Sequence, residues 1–225
     1  ITLSESLTTI GRSAFVNCSS LSSIILPDSL TTLGENAFAY CGKLSNVTLS
    51  KNLKSIEADS FYNCSSLTAI EIPEGVTSVR AGVFYNCTAL GSVTFPNSLE
   101  SIGNSALYNT GIKEVSLPDS LTDIGTGVFS GCSDLRSVKL PSGLKRINNS
   151  MFSGCGRLNS IVIPDGVTEI GEEAFSGCER LTEINLPAGV TTIEAGAFSS
   201  TGVTEFKLPN GLKTIGDSAF SSGQY

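Results

Sequence analysis

Residues 158–180 read LNSIVIPDGVTEIGEEAFSGCER, and the rest of the chain is close to a series of copies of these 23 residues. Phe175 marks one column of the copies, which continues through Phe15, Phe38, Phe61, Phe84, Phe129, Phe152, Phe198 and Phe220, with Leu107 in the single gap. The steps are 23 residues except into Phe129 and Phe220, where they are 22. A fixed period of this length signals a solenoid, in which each repeat is one supersecondary unit that cannot bury its apolar face alone. Length alone allows two globular domains. The repeat overrides that, because a solenoid grows by rungs around one continuous core. Residues 1–225 are therefore expected to form a single solenoid of about ten rungs.

Within the stretch, Ile161-Val162-Ile163 alternates in, out, in and is β-branched, so it reads as a short strand. Pro164 ends it, since proline cannot donate to a ladder, and Pro164-Asp165-Gly166 turns the chain. Val167 to Ile170 alternates again, as a second short strand. Gly171 follows, but Glu57, Arg80, Asn148 and Glu194 fill that column elsewhere, so a positive φ is not demanded there. Ala174 to Cys178 is too short for a full helix and reads as one helical or 3₁₀ turn on the return side. Stacked in register, like strands form a parallel sheet with ~4.8 Å between neighbours, and ten rungs a right-handed rod roughly 45–50 Å long. Bulky Phe on one side and small strand residues on the other should make the main sheet concave.

Net charge is −7 with only 14 basic residues, so the basic stripe a nucleic-acid partner needs is missing. The chain has no His and no Trp, which removes imidazole acid–base chemistry, Ser-His and Cys-His nucleophiles and most zinc sites. No catalytic residue, metal or cofactor is expected. No apolar run approaches the ~18 residues of a membrane span, so this segment should not insert into a bilayer. No signal peptide is visible. The chain begins at Ile1, inside a repeat, and reads as a piece of a longer protein. Neither Ile1 nor the segment 221–225 resembles the polar cap a solenoid needs. Exposed apolar ends, or end-to-end self-association of copies, are expected.

The pattern LxxIxLPxxLxxIxxxAFxxC runs through the chain, and Leu158 to Cys178 matches it position by position. It resembles the BspA-type class of leucine-rich repeat. Departures are local: Ser50 replaces the Pro, Leu107 the Phe, and Thr110 and Thr201 the Cys in the two rungs one residue short. The resemblance implies a leucine-rich-repeat solenoid exposed on the surface of a bacterium or protist and associated with adhesion to matrix proteins or other cells.

Candidate binding residues are the outward positions of the main strands, because solenoids use their extended concave surfaces for recognition. Those carrying useful chemistry are Glu71, Thr94, Glu114, Ser116, Lys139, Glu183, Asn185, Glu205 and Lys207. The expected partner is a protein or glycan at a cell surface. The alternatives are a spacer for another domain and an elongated carbohydrate-cleaving enzyme. For the enzyme, Glu183 and Glu205 fall in one column at ~5 Å, the separation of a retaining glycosidase pair; paired carboxylates also suit calcium. A flat sheet, however, lacks the desolvated pocket an acid catalyst requires. Tyr62, Tyr85 and Tyr108 follow the Phe or Leu column in consecutive rungs and should stack as a strip away from the strands, either a docking surface or a self-shielding ladder. Asn17, Asn46, Asn63, Asn86 and Asn148 begin glycosylation-type tripeptides. In three of these the middle residue is a Cys expected to be buried, so those Asn are read as turn residues. The seven cysteines, Cys18, Cys41, Cys64, Cys87, Cys132, Cys155 and Cys178, recur at one place in the rung. Their Cα–Cβ vectors should run parallel, which disfavours bridges. A column of free buried thiols is expected, donating weakly to return-turn carbonyls.

Overall fold

The computed structural model describes residues 1–223 and is a stack of parallel-strand rungs; Gln224 and Tyr225, part of the C-terminal segment read above as uncapped, lie outside the described residues. Six three-residue strands form the main face: Ser23–Ile25, Asn46–Thr48, Ala69–Glu71, Ser92–Thr94, Glu114–Ser116 and Ser137–Lys139. Ten two-residue strands, from Thr9–Ile10 to Thr214–Ile215, form a second face. Every pairing is parallel and in repeat register, for example Ile24 opposite Val47 and Ile56 opposite Val79. The central residue of each main strand turns inward; the flanking ones face out.

The two faces are not equally continuous. On the second face, four-strand ladders run from Ser55–Ile56 to Asp123–Ile124 and from Arg146–Ile147 to Thr214–Ile215. The break between them falls where the Asn148 amide, not a backbone N–H, donates to the Ile124 carbonyl. Within the ladders a backbone N–H takes this role, as from Gly125 to Ile102 and from Gly171 to Ile147; a second break separates the pair Thr9–Ile10 and Thr32–Leu33 from Ser55–Ile56. The main face, read from sequence as one sheet, instead consists of two-stranded pairs: 23–25 with 46–48, 69–71 with 92–94, and 114–116 with 137–139. Segments 160–162, 183–185 and 205–207 carry no ladder.

The return side departs from the helical turn expected there. Its local hydrogen bonds do span three residues, as Ala14 to Gly11, Val16 to Ser13 and Cys18 to Phe15. The residues two before and two after each Phe have positive φ, however, as at Ser13 (55°) and Asn17 (59°). A positive φ at the third position makes a type II turn rather than a helical one. The alternate N–H groups, those of Ser13, Phe15 and Asn17, donate instead to Glu35, Ala37 and Ala39 of the next rung. Backbone polarity is thereby satisfied without helix or strand. Asn tolerates the left-handed region better than most residues, which explains why Asn17, Asn63 and Asn86 occupy these sites. The Gly171 column, by contrast, has no positive φ, as its Glu and Arg members imply.

The core is the set of columns read from sequence. The Phe rings from Phe38 to Phe198 are fully buried, with Leu107 filling the gap. Adjacent rings lie near-parallel, with centroids 5.5 Å apart for Phe38 and Phe61 and 5.4 Å for Phe175 and Phe198. All seven thiols are free. Six donate to the carbonyl of the Phe or Leu one rung back, from Cys41 to Phe15 at 3.0 Å through Cys178 to Phe152 at 3.2 Å. In the short rungs the Thr110 and Thr201 hydroxyls serve their own rung's Leu107 and Phe198. Cys18 departs from the column: it is only half-buried. Thiol titration should therefore find one reactive group in the native protein and six more after denaturation. Seven reactive thiols without denaturant would contradict the ladder.

Candidate functional site

Four depressions open on the main face; each reaches a seam that lacks a ladder, and the largest also covers the paired strands 114–116 and 137–139. The first joins Thr48 and Lys51 to Glu71. The second, about 820 Å³, joins Thr94 and Asn97 to Glu114, Ser116 and Lys139. The third, about 520 Å³, joins Lys139 to Val162 and Asp165. The fourth, about 300 Å³, joins Glu183 and Asn185 to Glu205 and Lys207. Each contains a lysine and at least one carboxylate. All nine residues singled out from sequence line one of these hollows, and none of the nine makes an ion pair among the described residues. Lys51 is different, being tied to Asp28 at 2.5 Å. Asp119, in the second hollow, accepts the Ser142 backbone N–H at 2.8 Å, and that bond holds its carboxyl below the usual range. Val162 stands 83% exposed in the third hollow.

Two seams have a cause written in the chain. Where other rungs read Cys-x-x-Leu, the short rungs read Thr110-Gly111-Ile112 and Thr201-Gly202-Val203. One residue is missing between the return turn and the main strand. A Cβ on Gly111 would sit 2.6 Å from the Thr88 carbonyl oxygen, and one on Gly202 2.3 Å from that of Glu179. The contraction is thus possible only at glycine. It leaves the second face intact, since Ser101–Ile102 still pairs with Asp123–Ile124 and Thr192–Ile193 with Thr214–Ile215. Over the same rungs the main-face seams are open and hold the second and fourth hollows. Gly111→Ala and Gly202→Ala should each cost about 1–3 kcal/mol by forcing backbone apart. Gly143→Ala, with nothing within 4 Å of its added Cβ, is the neutral control in urea unfolding.

Glu183 and Glu205 do share a hollow, but both are exposed and Lys207 stands beside them. Nothing desolvates either carboxyl as a general acid requires. On the return side, Tyr62, Tyr85 and Tyr108 stack with centroids 4.9 and 4.4 Å apart. Packing of the rings raises the phenol pKa values of Tyr62 and Tyr85, through desolvation first and then through neighbouring phenols. Stacked rings spend their faces on one another and show solvent their edges, so the strip is a poor platform for a sugar ring. Tyr40 extends the strip, tilted 55° against Tyr62 and 47% exposed. The sequence reading missed it because it lies two residues after its Phe rather than one.

A repeat of strand, short strand and turn, closed by stacked Phe and Cys columns and open on one polar face, defines a leucine-rich-repeat solenoid. The model for the BspA type leucine rich repeat region matches residues 1–111 and 100–225, and the chain belongs to that family. It is similar to a leucine-rich repeat protein from Bacteroides ovatus, with 31% identity over 98% of this chain and 69% of that one, at a TM-score of 0.75. It is also similar to a Treponema pallidum leucine-rich repeat protein, with 29% identity over 78% of this chain and 72% of that one, at 0.56. A leucine-rich cell surface protein from Faecalibacterium prausnitzii aligns at 25% identity over 97% and 80%, at 0.60. No curated protein sequence matches the chain. Among the described residues, no helix is long and apolar enough to cross a membrane.

Proposed function

We propose that this chain is a non-enzymatic binding module displayed at a cell surface, and that its main-strand face takes a protein or glycan partner. The observation that carries this is the row of four hollows on one face, each with charges of both signs and most of those charges unspent on the protein itself. Such charges steer and select a partner more than they stabilise a fold. The Faecalibacterium relative, described as a cell surface protein, supports the location.

The test is binding of the labelled protein to bacterial and mammalian cells and to a glycan array. Ser116→Arg and Asn185→Arg put bulk into two hollows without touching the core, and each should weaken binding at least tenfold. Ala81→Arg, on an exposed return-side position, should not. Undiminished binding by both face variants would overturn the assignment. Release of sugar from any glycan, abolished by Glu183→Gln or Glu205→Gln, would replace it with the enzyme reading.

A further inference from the structure

Besides the second face, neighbouring rungs are joined in three ways, and the turns of Phe61 and Phe84 show all of them. Their rings stack at 5.7 Å. The Cys87 thiol donates to the Phe61 carbonyl at 3.1 Å. The main strands that follow, Ala69–Glu71 and Ser92–Thr94, are paired. Between the turns of Phe84 and Leu107 all three are missing. Leu107 offers no ring to stack. Among the described residues no thiol donates to the Phe84 carbonyl, because Thr110 stands in the Cys column and serves its own rung's Leu107. Strands Ser92–Thr94 and Glu114–Ser116 have no ladder between them. Every other junction from Phe15 to Phe220 keeps at least one of the three.

That junction instead carries the tightest contact of the tyrosine strip. The rings of Tyr85 and Tyr108 have centroids 4.4 Å apart and planes within 10°. Tyr62 and Tyr85 stand at 4.9 Å, and Tyr40 and Tyr62 at 5.3 Å with a tilt of 55°. Near-parallel rings this close bring carbons of one residue into van der Waals contact with carbons of the other, at ~3.5–4.0 Å. Beside them the Asn109 amide donates to the Asn86 side-chain oxygen at 2.7 Å, and the Asn86 N–H donates to the Tyr108 carbonyl at 2.9 Å. These bonds keep the two turns in line. Both rings are part-exposed, so solvent reaches their edges.

We infer that Tyr85 and Tyr108 form an oxidative cross-linking site, which a haem peroxidase with hydrogen peroxide closes into a carbon–carbon bond. One-electron oxidation of each phenol, with loss of its O–H proton, gives two phenoxyl radicals. Their unpaired density lies on the oxygen and on the ring carbons ortho and para to it. The para carbon bears the side chain, so coupling joins a Cε of one ring to a Cε of the other. Each joined carbon then loses its hydrogen as a proton and each oxygen takes one back, restoring both phenols. The two electrons and two phenol protons go to the peroxide, whose O–O bond breaks to give two waters. Radicals held side by side react as an intramolecular pair, at an effective concentration no second molecule matches. A bond is shorter than a ring contact, so coupling draws the two turns together. The stack, thiol and ladder between Phe61 and Phe84 oppose that movement. Between Phe84 and Leu107 none of them does, and the bond staples the two rungs that the fold joins least.

The test treats the whole protein with a haem peroxidase and hydrogen peroxide. It carries Cys18→Ser, which removes the half-buried thiol that would consume oxidant. Free tyrosine in a parallel sample confirms that the enzyme couples phenols. The monomer should lose two hydrogens by mass, gain the blue fluorescence of a biphenol, and release on digestion a peptide pair joined at Tyr85 and Tyr108. Tyr85→Phe and Tyr108→Phe, which keep a ring in the stack, should each lower the monomer fluorescence about tenfold or more. Tyr40→Phe and Tyr62→Phe should leave it nearly unchanged. The linked protein should also unfold at higher urea than the unlinked one. A bond chiefly between Tyr62 and Tyr85, coupling only between molecules, or no bond while free tyrosine couples would each overturn the site. A urea midpoint that the bond does not move would overturn the staple.

Discussion

Raising the pH from about 9 toward 12 should unfold this protein steeply, with the thiol column as the cause. Burial pushes the Cys87 and Cys178 thiols up to about 12, and raises Cys41, Cys64, Cys132 and Cys155 as well. In the unfolded chain these groups ionise near the ordinary thiol value of about 8.5. Below that pH both states keep their protons and stability is unaffected. Above it the unfolded state releases protons that the folded state holds, so stability falls as pH rises. Each thiol contributes up to ~1.4 kcal/mol per pH unit, and six together up to ~8. A domain of ordinary stability, about 5–15 kcal/mol, is exhausted within one or two units. Circular dichroism against pH, with reductant present, should show a midpoint near 10 to 11 by the same arithmetic. Replacing Cys87, Cys132 and Cys155 by Ser preserves a donor to the same carbonyls and should halve the slope. A native spectrum retained at pH 12, or a slope indifferent to the three serines, would refute this.

Truncating one central ring should have a comparable effect at neutral pH. Phe152 is fully buried and stacked on both sides, at 5.7 Å from Phe129 and 5.4 Å from Phe175. Phe152→Ala removes the transfer energy of a whole ring, leaves a cavity that the rungs above and below cannot collapse into, and loses two stacked contacts. About 3–5 kcal/mol is expected for a buried Phe→Ala. Phe15 is half-buried with one stacked neighbour, Phe38 at 5.1 Å, so Phe15→Ala should cost less than half as much. Because rungs contact only their neighbours, damage in the middle can also separate the two halves into distinct transitions. Urea unfolding of both variants measures the difference, and equal losses would mean that the ladder does not act as a stack.

The columns were legible because each is a burial requirement repeated in every rung. Phe61, Cys64 and Ile70 sit where their period places them. The outward residues followed from strand alternation, which is why Glu114 and Lys139 both reach the main-face surface. The open seams were not legible, because strand sequences at paired and unpaired seams are alike: Ser92-Val93-Thr94 and Asn46-Val47-Thr48 each border one of both kinds. The left-handed return turns left a partial trace in Asn and Gly two residues from each Phe. Glu173 and Tyr40, at φ 53° and 62°, obscured it.

A chain of near-identical rungs poses a degenerate folding problem. Sliding one half past the other by a whole repeat brings most Phe onto Phe and each aliphatic column onto another aliphatic residue, and costs little in contacts. Minimally frustrated landscapes need a gap between such alternatives and the native state. The two contracted rungs supply it. A slip of one rung would set Gly111, which has no room for a Cβ against the carbonyl of Thr88, where a full-length Cys-x-x-Leu segment belongs, and would force a longer loop into the space of a shorter one. The missing residues at Gly111 and Gly202 thus break the translational symmetry of the sequence and give the stack an origin from which its rungs are counted.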